Sequence, residues 1–170
     1  MEFIGQIEIA RQKVLNDISI FLSTVHELSG QQVVSTSDGI TLLKKIRSET
    51  YEDLNQIQHE HMILIAVDWL MKDRQWPADA QWYWNPRQTG NGSEPDLRVT
   101  LKEKTILSAE ITTSEKPEGA IDARMKSTLE KLVQMEGDKH YFVCSASMAT
   151  RANTKITKAG WSINVIQLST

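Results

Sequence analysis

The run from Glu94 to Thr113 restricts the possible folds more than any other part of the sequence. Apolar and polar residues alternate over Leu97–Leu101, and a second β-rich segment covers Ile106–Thr113. The residues between them, Lys102–Thr105, are polar enough to form the connection. Two such segments around a short polar turn predict a β-hairpin.

One carboxylate stands near the open end of each hairpin strand. Asp96 precedes the first strand and Glu110 lies near the end of the second, 14 residues later. In an antiparallel pair these two positions are close in space, and two carboxylates held together can share a hard divalent cation such as Mg²⁺. From the spacing alone, a surface hairpin that carries ordinary solvated acids is the favoured alternative.

The composition describes one globular domain and restricts its chemistry. Hydrophobic residues make up 40% of the 170 positions and charged residues 24%, which excludes a disordered chain. A single cysteine, Cys144, excludes an internal disulfide and a cysteine-based zinc site, and we expect it to be an inert core thiol. No segment has the length of a membrane span, so we predict a cytoplasmic protein without a membrane partner.

The N-terminal third predicts helices. Residues 3–28 are predicted to form one long amphipathic helix. Its apolar residues recur at spacings that alternate between three and four and so form a seam along one face, in which Arg11 is the one basic residue. The seam either packs on its own domain or forms a contact between two copies of the chain; its positions are Ile4, Ile7, Arg11, Val14, Ile18, Phe21, Val25 and Leu28. A connector and a short helix ending at Ile46 follow.

A second long helix is predicted over Glu49–Lys72. Glu60 borders its buried face, where a carboxylate is either a partly buried participant in a site or a charge at the rim. His59 and His61 point to different faces and are interpreted as structural or solvent-exposed.

The rest of the chain alternates strands and helices. The predicted order is a strand at Trp82–Trp84, a polar loop at Asn85–Ser93 that could contact a substrate, the hairpin, a helix over Pro117–Met135, a strand over Lys139–Ser145, a helix over Met148–Ala159 and a last strand over Trp161–Leu168.

This order, with Pro95-Asp96 before one strand and Glu110-Ile111-Thr112 on the next, resembles the PD-(D/E)XK nuclease superfamily. The resemblance covers roughly Glu49 to Ser145. It implies a restriction-endonuclease-like α/β fold, a three-layer α/β/α sandwich with a mixed central sheet. Residues 1–48 would be N-terminal helices and residues 49–170 the nuclease-like core of one structural domain.

The resemblance also implies a metal site that binds Mg²⁺ or Mn²⁺. Asp96 and Glu110 would be metal ligands together with the backbone carbonyl of Ile111, and Glu60 would be the acid that many members place on the preceding helix. The family has a lysine where this chain has Thr112. We predict that Lys126 on the following helix replaces it, with Lys116 and Arg124 as further candidates.

The predicted function is therefore metal-dependent hydrolysis of DNA phosphodiester bonds, in restriction or in other DNA defence or repair. Arg151, Lys155 and Lys158 would bind the DNA backbone, unless they are only the solvated face of a helix. Cleavage of both strands requires two sites, so we predict a homodimer. Two alternatives remain, a catalytically inactive nuclease fold that binds DNA or protein, favoured by Thr112, and an unrelated α/β interaction module.

Overall fold

The computed structural model of the chain describes residues 1–73, 75–86 and 93–168. Over these residues it contains four α-helices and six β-strands. In chain order they are β1 (Glu2–Phe3), α1 (Ile7–Ser29), α2 (Thr36–Asp73), β2 (Gln81–Trp84), β3 (Leu97–Leu101), β4 (Lys104–Thr112), α3 (Ala120–Val133), β5 (Asp138–Val143), α4 (Ala146–Ala159) and β6 (Asn164–Gln167).

The six strands form one mixed sheet in the order β1-β2-β3-β4-β5-β6. Each neighbouring pair from β1 to β4 is antiparallel, whereas β5 is parallel to β4 and β6 is parallel to β5. The predicted hairpin is β3–β4, and its turn is shorter than expected because Lys102 and Glu103 both adopt positive φ angles, as a two-residue hairpin turn requires. The predicted α/β fold with a mixed sheet and N-terminal helices is confirmed.

Two apolar clusters lie on opposite faces of this sheet. One contains Phe142 of β5 together with buried residues of α1 and α2. The other contains Tyr141 and Val143, the neighbours of Phe142, together with buried residues of α3 and α4. Because successive side chains of a strand point to opposite faces, α1 and α2 cover one face and α3 and α4 the other.

The apolar seam of α1 packs against the protein's own core. Val14 and Leu28 are buried, and Ile7 and Ile18 pack on the cluster that includes α2. Arg11, the basic interruption, is accommodated by an ion pair in which its Nη2 lies 2.6 Å from Oδ1 of Asp68 on α2. Of the two interpretations of the seam, the structure realises packing within the domain.

The N-terminal segment differs from the prediction in two places. Glu2 and Phe3 form a strand that pairs with Trp84 and Tyr83, so the first helix begins at Ile7 instead of at residue 3. The break expected after Ile46 is wrong, because α2 is one continuous helix of 38 residues. Neither proline nor glycine stands between residues 46 and 49 to end it, and the predicted boundary at residue 48 falls inside this helix.

The other predicted elements occur with ends that differ from the prediction by at most three residues. Most of the polar loop predicted at Asn85–Ser93, residues 87–92, lies outside the described residues. Within the described part of the chain, no helix is both long enough and apolar enough to cross a membrane.

We expect Gly137→Ala to destabilise the fold strongly. Gly137 has a φ of +78°, and a Cβ there would lie 2.5 Å from the carbonyl carbon of Ile106. That clash with backbone, added to the left-handed conformation, should cost at least ~3 kcal/mol in the free energy of unfolding, measured by urea denaturation.

Gly160→Ala is the matched control. Gly160 also has a left-handed φ, +68°, but a Cβ there meets nothing within 4 Å. It should cost only about 1 kcal/mol. Equal losses in the two variants would contradict the close approach at Gly137.

Candidate functional site

A cleft of about 680 Å³ opens over the end of the β3–β4 hairpin, and the two predicted carboxylates lie in it. Tyr51, Asn55 and His59 line it from α2, and Arg124 and Thr128 from α3. Glu52 and Gln56 of α2 and Ile121 and Met125 of α3 belong to the same two walls. The remaining walls come from the end of β4 and the residues after it, from β5 and from the start of α4; they are Ile111, Thr112, Thr113, Ser114, Tyr141 and Met148.

The hairpin register places Asp96 and Glu110 opposite each other. Leu97 pairs with Ala109, so the next positions outward are Asp96 and Glu110, whose side chains share one face of the sheet. Both residues are buried. The backbone N–H of Ile111 donates a hydrogen bond to Oδ2 of Asp96 at 2.8 Å, which fixes this carboxylate.

His59 is a member of this site that the sequence did not indicate. It is buried, it lines the cleft, and its Nε2 lies 3.2 Å from Oδ2 of Asp96. Burial alone would lower the pKa of the imidazole, but the hydrogen bond and the charge of Asp96 outweigh burial and raise it. In its protonated form, His59 compensates the charge of Asp96.

Lys131 is the second residue that the sequence did not assign to the site. Its Nζ lies 2.8 Å from Oε1 of Glu110 and donates a hydrogen bond to the carbonyl oxygen of Glu94. Arg124, Thr128 and Lys131 stand four and three residues apart and so share one face of α3. That spacing was the available signal, because Arg124 and Thr128 line the same cleft.

The charged form of Glu110 is disfavoured in this site. Burial, followed by the charge of Asp96, raises the pKa of Glu110 to about 8, although Lys131 and His59 act in the opposite direction. A cation bound between the two carboxylates would favour the charged form of Glu110 against burial and the charge of Asp96. Two carboxylate oxygen donors also suit Mg²⁺ or Mn²⁺, so the residues fit such an ion.

The side chains alone do not complete a coordination sphere. Among the residues that the structure describes, no group of three or more His, Cys, Asp or Glu is arranged to hold a metal ion. Two carboxylates would therefore need oxygen from the backbone or from water, which Mg²⁺ commonly retains.

Thr112 lines the cleft as a neutral group. Its side chain is a hydrogen-bond partner of the Tyr141 hydroxyl, whose pKa is raised chiefly by burial. The Thr112 hydroxyl oxygen also accepts a bond from the backbone N–H of Ser114 at 3.4 Å.

Glu60 faces away from the cleft. It is almost fully buried, and its Oε2 pairs with Nζ of Lys13 on α1 at 2.7 Å. Lys13 also pairs with Asp17 and lies 5.7 Å from the centre of the Trp84 ring. Of the alternatives for Glu60, the structure shows a buried link between α1 and α2.

The three basic residues that were predicted as replacements for the family's lysine at Thr112 occupy different places. Arg124 lines the cleft. Lys126 does not, since its side chain is 64% exposed and pairs with Glu130 on the same helix. Lys116 is exposed and contributes no side chain to the cleft.

The basic helix α4 is partly neutralised by α3. Nε of Arg151 and Nζ of Lys155 lie 2.7 and 3.0 Å from Oδ1 of Asp122. Hydrogen bonds from Arg151 and then Lys155 hold the pKa of this carboxyl well below its usual range. Lys158 is exposed on α4 and lines a different cavity from the one at the carboxylates.

No family model, no curated protein and no solved structure matches this chain.

We expect Glu110→Gln to remove a pH dependence of stability. Between the pKa of an unfolded glutamate, about 4.3, and the value of about 8 in the fold, the folded chain binds the proton that the unfolded chain has lost. Stability should thus fall as the pH rises through this window. The Gln variant should be about 2 kcal/mol more stable than the parent near the upper end.

Urea denaturation across this pH window, without divalent cations, measures the effect. Glu130→Gln is the control, because Glu130 is an exposed carboxylate on α3. If the free energy of unfolding of Glu110→Gln depended on pH in the same way as that of the parent, the raised pKa of Glu110 would be contradicted.

Proposed function

We propose that the protein is a metal-dependent endonuclease that hydrolyses DNA phosphodiester bonds with Mg²⁺ or Mn²⁺, in restriction or in other DNA defence or repair. One observation carries the proposal. Asp96 and Glu110 are buried opposite each other at the base of an open cleft, and a lysine lies 2.8 Å from Glu110.

The pattern expected of the PD-(D/E)XK superfamily supports the same function. Asp96 precedes β3, and Glu110, Ile111 and Thr112 end β4, within a mixed sheet that has helices on both faces. Lys131 supplies from α3 the positive charge that Thr112 lacks. The restriction-endonuclease-like form of the fold belongs to this proposal.

Each residue then has a part in hydrolysis. Asp96, Glu110 and the Ile111 carbonyl would hold the ion, which when bound polarises the scissile phosphate and lowers the pKa of an attacking water. Lys131 places a positive charge beside that position, where negative charge develops in the transition state. The Ile111 N–H and His59 orient Asp96.

DNA would enter between α2 and α3. Arg124 stands on one wall, where a guanidinium can bind a backbone phosphate, and such contacts position the duplex without identifying its sequence. Tyr51 and Asn55 form part of the opposite wall and offer an aromatic ring and an amide. Arg151 and Lys155 already pair with Asp122, which makes Arg124 the leading contact.

A catalytically inactive nuclease fold that binds DNA or protein is the second candidate. Its specific support is that, over the described residues, the carboxylates gain no third metal-ligating side chain, while a neutral Thr112 stands at the end of β4. Cleavage measurements separate the two candidates.

We expect supercoiled plasmid to be nicked or linearised with Mg²⁺ or Mn²⁺, and Asp96→Asn and Glu110→Gln to abolish cleavage. Lys131→Gln should lower kcat by about 100-fold or more, as does removal of one preorganised charge from other active sites. Gel quantification of plasmid forms measures the rates.

Lys126→Gln is the control for Lys131, because both residues are lysines on α3 and only Lys131 reaches a carboxylate. It should retain the parental rate. Cleavage that survives in both carboxylate variants would refute this site, and binding without any cleavage would favour the inactive fold.

We expect Arg124→Ala to weaken DNA binding without sequence preference. Loss of one phosphate contact should lower the slope of log affinity against log salt by about 1. Fluorescence anisotropy with duplexes of unrelated sequence, in Ca²⁺ to suppress cleavage, measures affinity and slope together.

Lys158→Ala removes an exposed lysine outside the cleft and is the comparison. An equal change of slope in this variant would place the DNA on α4 instead of in the cleft.

A further inference from the structure

The two helical walls of the cleft differ in chemistry, and the wall on α3 suits phosphate. Arg124 and Thr128 line the cleft, and Lys131 lies on the same face of α3 and reaches Glu110. A guanidinium, a hydroxyl and an ammonium group are all hydrogen-bond donors. Groups of these kinds make the contacts to phosphate oxygens that position nucleic acid on a protein.

The wall on α2 offers an aromatic ring and hydrogen-bond acceptors. Its members fall within a sector of about 140° around the helix and are Tyr51, Glu52, Asn55, Gln56 and His59. The carboxylate of Glu52 repels phosphate groups, so this wall is unsuited to the DNA backbone. Carboxylates and carboxamides instead hydrogen-bond to the edges of bases. A strand in the cleft therefore turns its phosphates toward α3 and its bases toward α2.

Gln56 leaves an acceptor open at this wall. Its Nε2 donates a hydrogen bond to Oε1 of Glu52 at 3.2 Å. Its Oε1 is buried and has no hydrogen-bond partner within the part of the chain that the structure describes. A buried acceptor without a partner is costly, and an N–H group of a ligand would satisfy it. An ionised carboxylate beside it also only accepts, so the two side chains together select a ligand that donates.

Tyr51 is placed to stack on a base. It lines the cleft, and 59% of the residue is exposed. It stands eight residues before His59, which is about 12 Å along the helix, and His59 contacts Asp96. A base on this ring therefore belongs to a nucleotide near the reacting phosphate but not at it. Stacking on an aromatic side chain is open to a base whose own face is free.

The depth of the carboxylates argues against an intact duplex in the cleft. Asp96 and Glu110 are only 4% and 6% exposed, so a phosphate must enter the cleft to reach them. A cleft of about 680 Å³ has the size of sites that hold a small ligand, equivalent to about one or two nucleotides. In a duplex the pairing edges of the bases are also occupied, which would leave the groups on α2 without partners.

We propose that the DNA strand to be cut crosses this cleft unpaired. Tyr51 stacks on one of its bases, Glu52 and Gln56 accept hydrogen bonds from a base amino group, and Arg124 binds a phosphate. Adenine and cytosine, which carry an amino group, are preferred to thymine, which has none. The preferred substrate is therefore DNA with an unpaired segment, and only the identity of the ligand as DNA rests on the proposed function.

Fluorescence anisotropy with a labelled single strand and with a duplex of the same sequence, in Ca²⁺ to suppress cleavage, tests the strand. The single strand should bind about 10-fold more tightly than the duplex, and Tyr51→Ala should raise its Kd by about 10-fold, the loss expected for one stacked base. Tyr51→Phe should retain the parental Kd, because it keeps the ring.

Leu43→Ala is the matched control for Tyr51→Ala. Leu43 is also on α2 and is 62% exposed, but it does not line the cleft. It should leave the Kd of the single strand unchanged. Circular dichroism checks that all variants remain folded.

The base contact is tested with oligodeoxycytidine and oligothymidine. The parent should bind oligodeoxycytidine about 10-fold more tightly, as expected for one hydrogen-bonded contact to a base. Glu52→Gln should lower this ratio, because a carboxamide can donate as well as accept. Glu49→Gln removes the same charge from α2 outside the cleft, where Glu49 pairs with Lys45, and should keep the ratio.

Tighter binding of the duplex would overturn the proposal, and so would a Tyr51→Ala variant that binds the single strand like the parent. An unchanged ratio in Glu52→Gln would refute the base contact. Failure of the proposed function gives a different result, since a protein that cuts no DNA with Mg²⁺ or Mn²⁺ but shows these affinities would support the unpaired strand alone. Plasmid cleavage that depends on Asp96, combined with a preference for duplex, would support the endonuclease and refute the unpaired strand.

Discussion

The proximity of two buried carboxylates is the constraint on which the rest of the structure depends. Asp96 and Glu110 face each other across a hairpin, and their mutual repulsion in a buried position must be offset for the fold to exist. Three different elements supply the compensation, namely the β4 backbone at Ile111, His59 on α2 and Lys131 on α3. One helix from each face of the sheet therefore contacts this pair of carboxylates, α2 through His59 and α3 through Lys131.

The sequence predicted the parts of this site that are local. Alternation over residues 97–101 and a short polar turn specify the hairpin, and the hairpin register follows from them, so Asp96 and Glu110 could be paired without a structure. Lys131 could not be chosen over Lys126 in the same way, because the rotation of α3 is set by which of its faces packs on β4 and β5. Only the shared spacing with Arg124 and Thr128 carries that information along the chain.

Glu60 and His59 show the same limit on α2. Neighbouring residues on a helix point about 100° apart, so a small error in the buried direction exchanges their roles. The sequence placed Glu60 at the border of the buried face, but Glu60 is almost fully buried and pairs with Lys13 of α1, while His59 lines the cleft. The sequence also did not predict that α2 is continuous. Residues 46–49 contain neither proline nor glycine, so nothing in them ends the helix.

The distribution of the site along the chain has a consequence for biosynthesis. Asp96 and Glu110 are translated before Lys131, and the lysine reaches Glu110 only after α3 has formed and docked on the sheet. A nascent chain that ends before Lys131 contains both carboxylates but not the lysine that offsets Glu110. Completion of the site therefore depends on the docking of α3, and a truncated translation product would retain the two acids without this lysine.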